Sequence, residues 1–133
     1  MRAKVGITLS AVALLIISGC APANYPGRNW DFIGERVVSN RAERDVIRVR
    51  GRDAYRAIKF EVLNEEVRVR DIEVEFENGR RQRINMHRKF RPGWQSRAID
   101  LQGGKRRVDR IVFRYRADSY GRRPAVIRVY GLR

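Results

Sequence analysis

The sequence predicts an all-β domain, an antiparallel β-sandwich of about eight strands, with a flattened β-barrel as the alternative. Three observations carry this. Apolar residues after position 29 recur at every second position in runs of five to ten. Clusters of Gly, Pro, Asn and charged residues punctuate those runs, and no stretch after the first twenty residues holds a 3.6-residue period.

The chain divides into residues 1–20, a lipoprotein-type signal peptide, 21–29, a tether, and 30–133, the β-sandwich domain. Arg2 and Lys4 precede a thirteen-residue apolar run from Val5 to Ile17. That run is too short for a stable membrane-spanning helix and has the length of a signal-peptide core, so the chain is expected to be exported. Ile17-Ser18-Gly19-Cys20 resembles the bacterial lipobox, in which a cysteine is acylated and becomes the new N-terminus. Ala21-Pro22-Ala23 offers a competing cleavage after Ala23, which would leave a soluble periplasmic protein. Cys20 is the only cysteine, and one cysteine cannot form an intramolecular disulfide, so lipidation at Cys20 is the reading chosen. The lipobox resemblance also implies sorting: Ala21, where aspartate would retain the protein, points to the outer membrane facing the periplasm. Residues 21–29, with two prolines and a glycine, then form a tether of up to about 30 Å.

In the domain itself, Trp30 to Val38 reads as a first strand and Asp45 to Arg50 as a second, joined by a polar turn from Asn40 to Arg44. Ala57 to Val62 puts Ile58, Phe60 and Val62 inward with Lys59 and Glu61 outward. Val67 to Phe76 changes phase, from Val67 and Val69 to Ile72, Val74 and Phe76, which predicts a β-bulge near Arg70-Asp71. A loop from Asn78 to Arg80 leads into Arg81 to His87. It pairs Val74 with Ile84 and Ile72 with Met86, and sets Glu75 opposite Arg83 and Glu77 opposite Arg81 as an outward charge ladder.

Ser96 to Tyr115 reads as a hairpin about Gly103-Gly104. A bulge at Asp109-Arg110 would bring Leu101 opposite Val108 and Ile99 opposite Ile111. Asp118 to Arg123 is expected as a loop and Ala125 to Tyr130 as the last strand.

The charge balance is extreme, with 30 Lys plus Arg against 15 Asp plus Glu and a net charge of +15. Loss of Arg2 and Lys4 with the leader leaves +13. Twenty-six of the basic residues are arginine, which suits bidentate contact with phosphate or carboxylate. Such a domain attracts anions of every kind until close contacts discriminate among them.

Few groups offer catalytic chemistry. His87 is the sole histidine, and the register above places it across from Asp71, but no serine sits in a nucleophile elbow. Asp71, Glu73, Glu75 and Glu77 face arginines, so they read as a ladder rather than a calcium site. One histidine and one acylated cysteine leave no zinc or copper ligand set, and no cofactor is expected. Gly103-Gly104-Lys105 has no helix after it and is a turn rather than a phosphate loop. Arg97, Asp100 and Arg107 are expected to form an ion network pinning the hairpin. The most interaction-like cluster is Arg88, Lys89, Arg91 and Trp94, which mixes cations with aromatics and is the candidate anion-binding site. Alternatively the same loop is an ordinary crossover anchored by Trp94 in the core.

Four segments together resemble a known family: Trp30-Asp31-Phe32-Ile33-Gly34, Arg44-Asp45-x-Ile47, Ser96-Arg97-x-Ile99-Asp100-Leu101, and Arg107-x-x-x-Ile111-x-Phe113-x-Tyr115-Arg116. They are similar to those of small exported bacterial β-sandwich proteins grouped only as a domain of unknown function. The resemblance implies a fold and an envelope location, and no reaction. The expected function is that of a non-enzymatic envelope lipoprotein, tethered to the membrane by lipid and binding anionic phospholipid, lipopolysaccharide or acidic glycan. The alternatives are a cell-wall hydrolase or other envelope enzyme and an extracellular nucleic-acid binder. The periplasmic address disfavours nucleic acid.

Overall fold

Alternating side chains can bury one face of a strand only if a second layer covers that face. The computed structural model, which describes residues 29–39, 43–117 and 123–133, shows the covering layer to be a second sheet. The strands are β1 (Trp30–Val37), β2 (Arg44–Arg48), β3 (Ala54–Tyr55), β4 (Ala57–Leu63), β5 (Val67–Phe76), β6 (Arg81–Phe90), β7 (Ile99–Asp100), β8 (Arg106–Ala117) and β9 (Val126–Leu132). One antiparallel sheet has the order β1-β9-β4-β7, and the other β2-β8-β5-β6, with β3 following β2 along the same side of β8. The fold is therefore a β-sandwich and not a closed barrel. Cys20, residues 21–28 of the tether, most of the turn expected at 40–44 and residues 118–122 of the expected loop lie outside the described residues.

The core is filled from both sheets. Phe60 of β4 lies edge-on to Phe90 of β6 at 4.7 Å and to Phe113 of β8 at 5.3 Å between ring centroids. Val67, Val69, Ile72 and Val74 of β5 meet Ile127 and Val129 of β9 in the same cluster. Both expected bulges are present. Arg70 is extra between the pairs Val69↔Tyr115 and Asp71↔Arg114, and Asp109 is extra between Glu75↔Arg110 and Phe76↔Val108. Each bulge returns the next apolar residue to the inner face after a phase change.

The central hairpin is a different object from the one expected. Ile99, Leu101, Val108 and Ile111 are all buried, but β7 pairs with β4 in one sheet while β8 pairs with β5 and β2 in the other. Gly103 and Gly104, at φ +87° and +79°, thus turn the chain between sheets. Arg97, Asp100 and Arg107 do not form a network: all three are exposed, and Arg107 faces Glu77 at 3.7 Å.

The β5–β6 register is displaced by two residues from the expected one, pairing Ile72 with Ile84, Glu73 with Arg83 and Glu75 with Arg81. The loop is Glu77 to Gly79, closed by Phe76 N–H donating to the Arg80 carbonyl at 2.9 Å, with Gly79 at φ +82°. This register turns Gln82 inward, where its Nε2 donates to the Asp100 carbonyl at 3.0 Å and its Oε1 accepts from Gln102 N–H at 2.9 Å. A buried amide is thereby satisfied by the inter-sheet turn, so the inner position tolerates a polar residue.

The inward assignment of Ile58, Phe60 and Val62 and the outward one of Glu61 hold, but Glu61 is only 4% exposed on that outer face, where it accepts a hydrogen bond from Tyr130 Oη at 3.2 Å. The crossover from β6 to β7 is anchored by Phe90, 2% exposed, whereas Trp94 is 45% exposed rather than in the core. Residues 93–96 instead extend the sheet along β4. Gly93 N–H donates to the Val62 carbonyl, Val62 N–H to the Trp94 carbonyl and Ser96 N–H to the Phe60 carbonyl.

Candidate anion-binding cleft

Where the edges of the two sheets meet, β1 and β2 each have a hydrogen-bonded neighbour on one side only among the described residues. They approach closely because β1 carries Gly34, at whose position a Cβ would lie 2.6 Å from Ile47 Cγ2 of β2. A bulge between Phe32 and Gly34 helps to seat Gly34 against the facing sheet. Above this contact the edges diverge into a cleft of about 770 Å³, lined by Arg36 of β1, Arg44 and Arg48 of β2, Arg50 just beyond it, and Arg110 of β8. Phe32, Glu35 and Val46 also line it.

Sequence spacing explains the convergence. Arg44, Val46 and Arg48 occupy alternate positions of one strand and share its outer face. Register then sets Arg48 beside Arg110 and Arg44 beside Arg114. Like charges directly opposite one another destabilise a sheet, and the neighbouring acids answer two of these arginines. Arg110 donates two hydrogen bonds to Glu75, at 2.8 and 2.9 Å, and Arg114 donates to Asp71 Oδ1 at 2.7 Å. Arg36 Nε donates to Asp45 Oδ1 at 3.3 Å, linking β1 to β2. Arg44, Arg48 and Arg50 have no carboxylate within 4 Å among the described residues. They are the arginines of the cleft that no described carboxylate pairs directly.

The carboxylates register this field. The Arg110 hydrogen bonds hold the Glu75 carboxyl below its ordinary range, with Arg81 and Arg48 adding to the effect. Burial would raise the Asp71 carboxyl, but guanidinium bonds from Arg114 and Arg83 (3.2 Å) outweigh it and hold it low. Asp45 also accepts from the Tyr115 hydroxyl at 2.5 Å, and burial followed by this bond pushes the Tyr115 phenol well above its ordinary value. These groups are a scaffold for the arginines, since each carboxylate is already engaged.

The residues singled out from sequence are placed otherwise. Arg88, Lys89 and Arg91 are exposed, but Lys89 pairs with Glu66 at 3.0 Å, Arg88 lies 5.8 Å from the Phe90 ring and Arg91 lies 5.5 Å from the Trp94 ring. The aromatics of that loop are thus occupied by its own cations. His87 does not face Asp71, which pairs instead with Asn85 and Arg114. It sits exposed at the irregularity of β6 with φ 45°, in the left-handed region. Among the described residues no three His, Cys, Asp or Glu side chains gather as a metal would require, and no helix is long and apolar enough to cross a membrane.

The cleft was hidden from sequence reasoning because Arg36, Arg44 and Arg110 come from three separate strands. Its one local signal is the recurrence of arginine at 44 and 48 on one face of β2, followed by Arg50 just beyond it.

Beside the cleft, on the outer face of the sheet, lies a shallower depression of about 420 Å³ lined by Phe32, Glu35, Arg128 and Tyr130. Phe32 is 56% exposed and meets Tyr130 edge-on at 6.1 Å, and Arg128 Nε donates to Glu35 Oε2 at 2.8 Å. Phe32 and Glu35 line both hollows.

No curated protein and no solved structure matches the chain. The family model described as a domain of unknown function, DUF2541, matches residues 8–131, and the chain belongs to that family.

Proposed function

We propose that this protein is a non-enzymatic binding module of the bacterial envelope, anchored by lipid on Cys20 at the outer membrane, whose cleft between β1 and β2 takes up anionic groups of envelope components. The observation that carries the reading is the set Arg44, Arg48 and Arg50, three guanidinium groups around one concave site with no carboxylate partner among the described residues. Guanidinium forks suit phosphate and carboxylate oxygens, and concavity with low-dielectric walls strengthens their field. The remaining lining arginines, Arg36 and Arg110, are fixed by Asp45 and Glu75 and shape the site. The only histidine is exposed and away from the cleft-lining residues, which favours binding over acid–base chemistry.

The test compares two charge-matched variants in sedimentation with phosphatidylglycerol vesicles and with lipopolysaccharide. Arg44→Gln/Arg48→Gln/Arg50→Gln removes the cleft charges, and Arg88→Gln/Lys89→Gln/Arg91→Gln removes the loop charges. At about 1 kcal/mol per cation near an anionic surface, the cleft variant loses on the order of a hundredfold in affinity. The loop variant loses less than tenfold. Equal losses would show that the whole-domain field does the binding and would end the proposal of a site. For the anchor, metabolic labelling with a fatty-acid probe marks the wild type and leaves Cys20→Ser unlabelled. An unlabelled wild type beginning at Asn24 contradicts it.

A further inference from the structure

The cleft does not end at its arginines. Phe32 and Glu35 form its rim and, on their other side, belong to the depression that also holds Tyr130 and Arg128. A phosphate or carboxylate group alone has no use for an exposed phenyl ring beside the cations. Polar ligands with an apolar face do.

We infer that the joined surface binds an acidic pyranose, with the sugar ring on Phe32 and its phosphate or carboxylate substituent among Arg44 and Arg48. This rests on the reading of the cleft as an anion site and names the ligand class. The axial C–H groups of a pyranose form a weakly positive apolar face that matches the negative face of an aromatic ring. Phe32 offers such a face, 56% exposed and braced by the Tyr130 ring 6.1 Å away. The Glu35 carboxylate and the Arg128 guanidinium, held together at 2.8 Å, are an acceptor and a donor side by side, as vicinal hydroxyls require. Few convergent polar groups beside an apolar platform are the usual composition of a small-ligand site. Charge alone would rank ligands by anion density. A ring-binding rim adds preference for the sugar.

The test measures affinities of the full chain in neutral detergent by calorimetry for four probes: tripolyphosphate, glucose carrying two phosphates, hexagalacturonate and neutral cellohexaose. The wild type is expected to bind one of the acidic sugars more tightly than tripolyphosphate, and the preferred one tells whether the anionic group is phosphate or carboxylate. Phe32→Ala should weaken the acidic sugar roughly three- to tenfold more than it weakens tripolyphosphate, while Phe32→Tyr restores the preference. Arg44→Gln/Arg48→Gln should weaken both. If Phe32→Ala leaves the sugars unchanged, or weakens all probes alike, the ring subsite is overturned while the anion cleft stands. Absence of tripolyphosphate and acidic-sugar binding by the wild type would overturn both.

Discussion

Gly34 shows how one residue sets the site. Its missing side chain lets β1 settle onto Ile47, so the two sheets close at their edge and leave a cleft rather than a gap. Gly34→Ala would drive a Cβ to 2.6 Å from Ile47 Cγ2, and overpacking of this kind costs about 1–3 kcal/mol. In an Ile47→Ala background the same change is expected to cost less, and a double-mutant cycle by urea unfolding checks it; additivity would show that the two do not touch. Tyr115 is a second such residue. Its hydroxyl joins β8 to Asp45 of β2 in a buried bond, and Tyr115→Phe should cost about 1–3 kcal/mol by leaving Asp45 short of a donor. Because the folded-state phenol titrates above the unfolded value of about 10, its contribution is complete below that pH and is lost as pH rises towards the folded value. Unfolding midpoints measured across alkaline pH should therefore fall less steeply in Tyr115→Phe than in the wild type. Tyr55 and Tyr130, also raised chiefly by burial, keep some slope in both.

At the scale of the strand, β5 and its two neighbours carry the charge ladder. Asp71 takes hydrogen bonds from Arg83 of β6 and Arg114 of β8, and Glu75 from Arg110. Both carboxyls are held below their ordinary values, so their contribution is complete above the unfolded pKa of about 4 and fades as pH falls through the lower folded values. Acid titration of stability should show this loss below about pH 4, and Asp71→Asn should flatten the curve there; an unchanged curve would mean that the pairs are not formed in solution. The core face of β8 is the other determinant, and Ile111→Ala or Phe113→Ala should each cost about 2–5 kcal/mol in denaturant unfolding. The same strands show what was legible in the sequence. Phase changes located the bulges at Arg70 and Asp109, because alternation reports which face each residue occupies. Alternation does not report the neighbour. Ile99 and Leu101 bury themselves in the same core as Val108 and Ile111 from the opposite sheet, so one hairpin and two facing strands produce the same pattern. The β5–β6 register escaped for a related reason: it turns Gln82 inward, and the amide is satisfied only by Asp100 and Gln102, some twenty residues away in sequence. Glu61 looked outward and is outward, but the outer surface around Tyr130 covers it.

On the whole-molecule scale, composition shows a net charge of +15 and does not say where on the surface it gathers. The arginines are dispersed along the chain, and their convergence depends on strand order, which brings β1, β2 and β8 together at one edge. The loop with Arg88, Lys89 and Arg91 was conspicuous because its cations are adjacent in sequence, yet Lys89 pairs with Glu66 while Arg44 and Arg48 of β2 and Arg50 just beyond it have no carboxylate within 4 Å among the described residues. Net charge of this size draws any polyanion within a Debye length, so affinity alone cannot identify a site.

Arginine side-chain resonances separate the two possibilities most directly. Nuclear magnetic resonance of the Nε–Hε groups during titration with tripolyphosphate at physiological salt is expected to shift Arg44, Arg48 and Arg50 first and furthest, with Arg88 and Arg91 nearly still. Largest shifts at Arg88 and Arg91, or small uniform shifts over all arginines, would contradict the cleft as the place where anions bind.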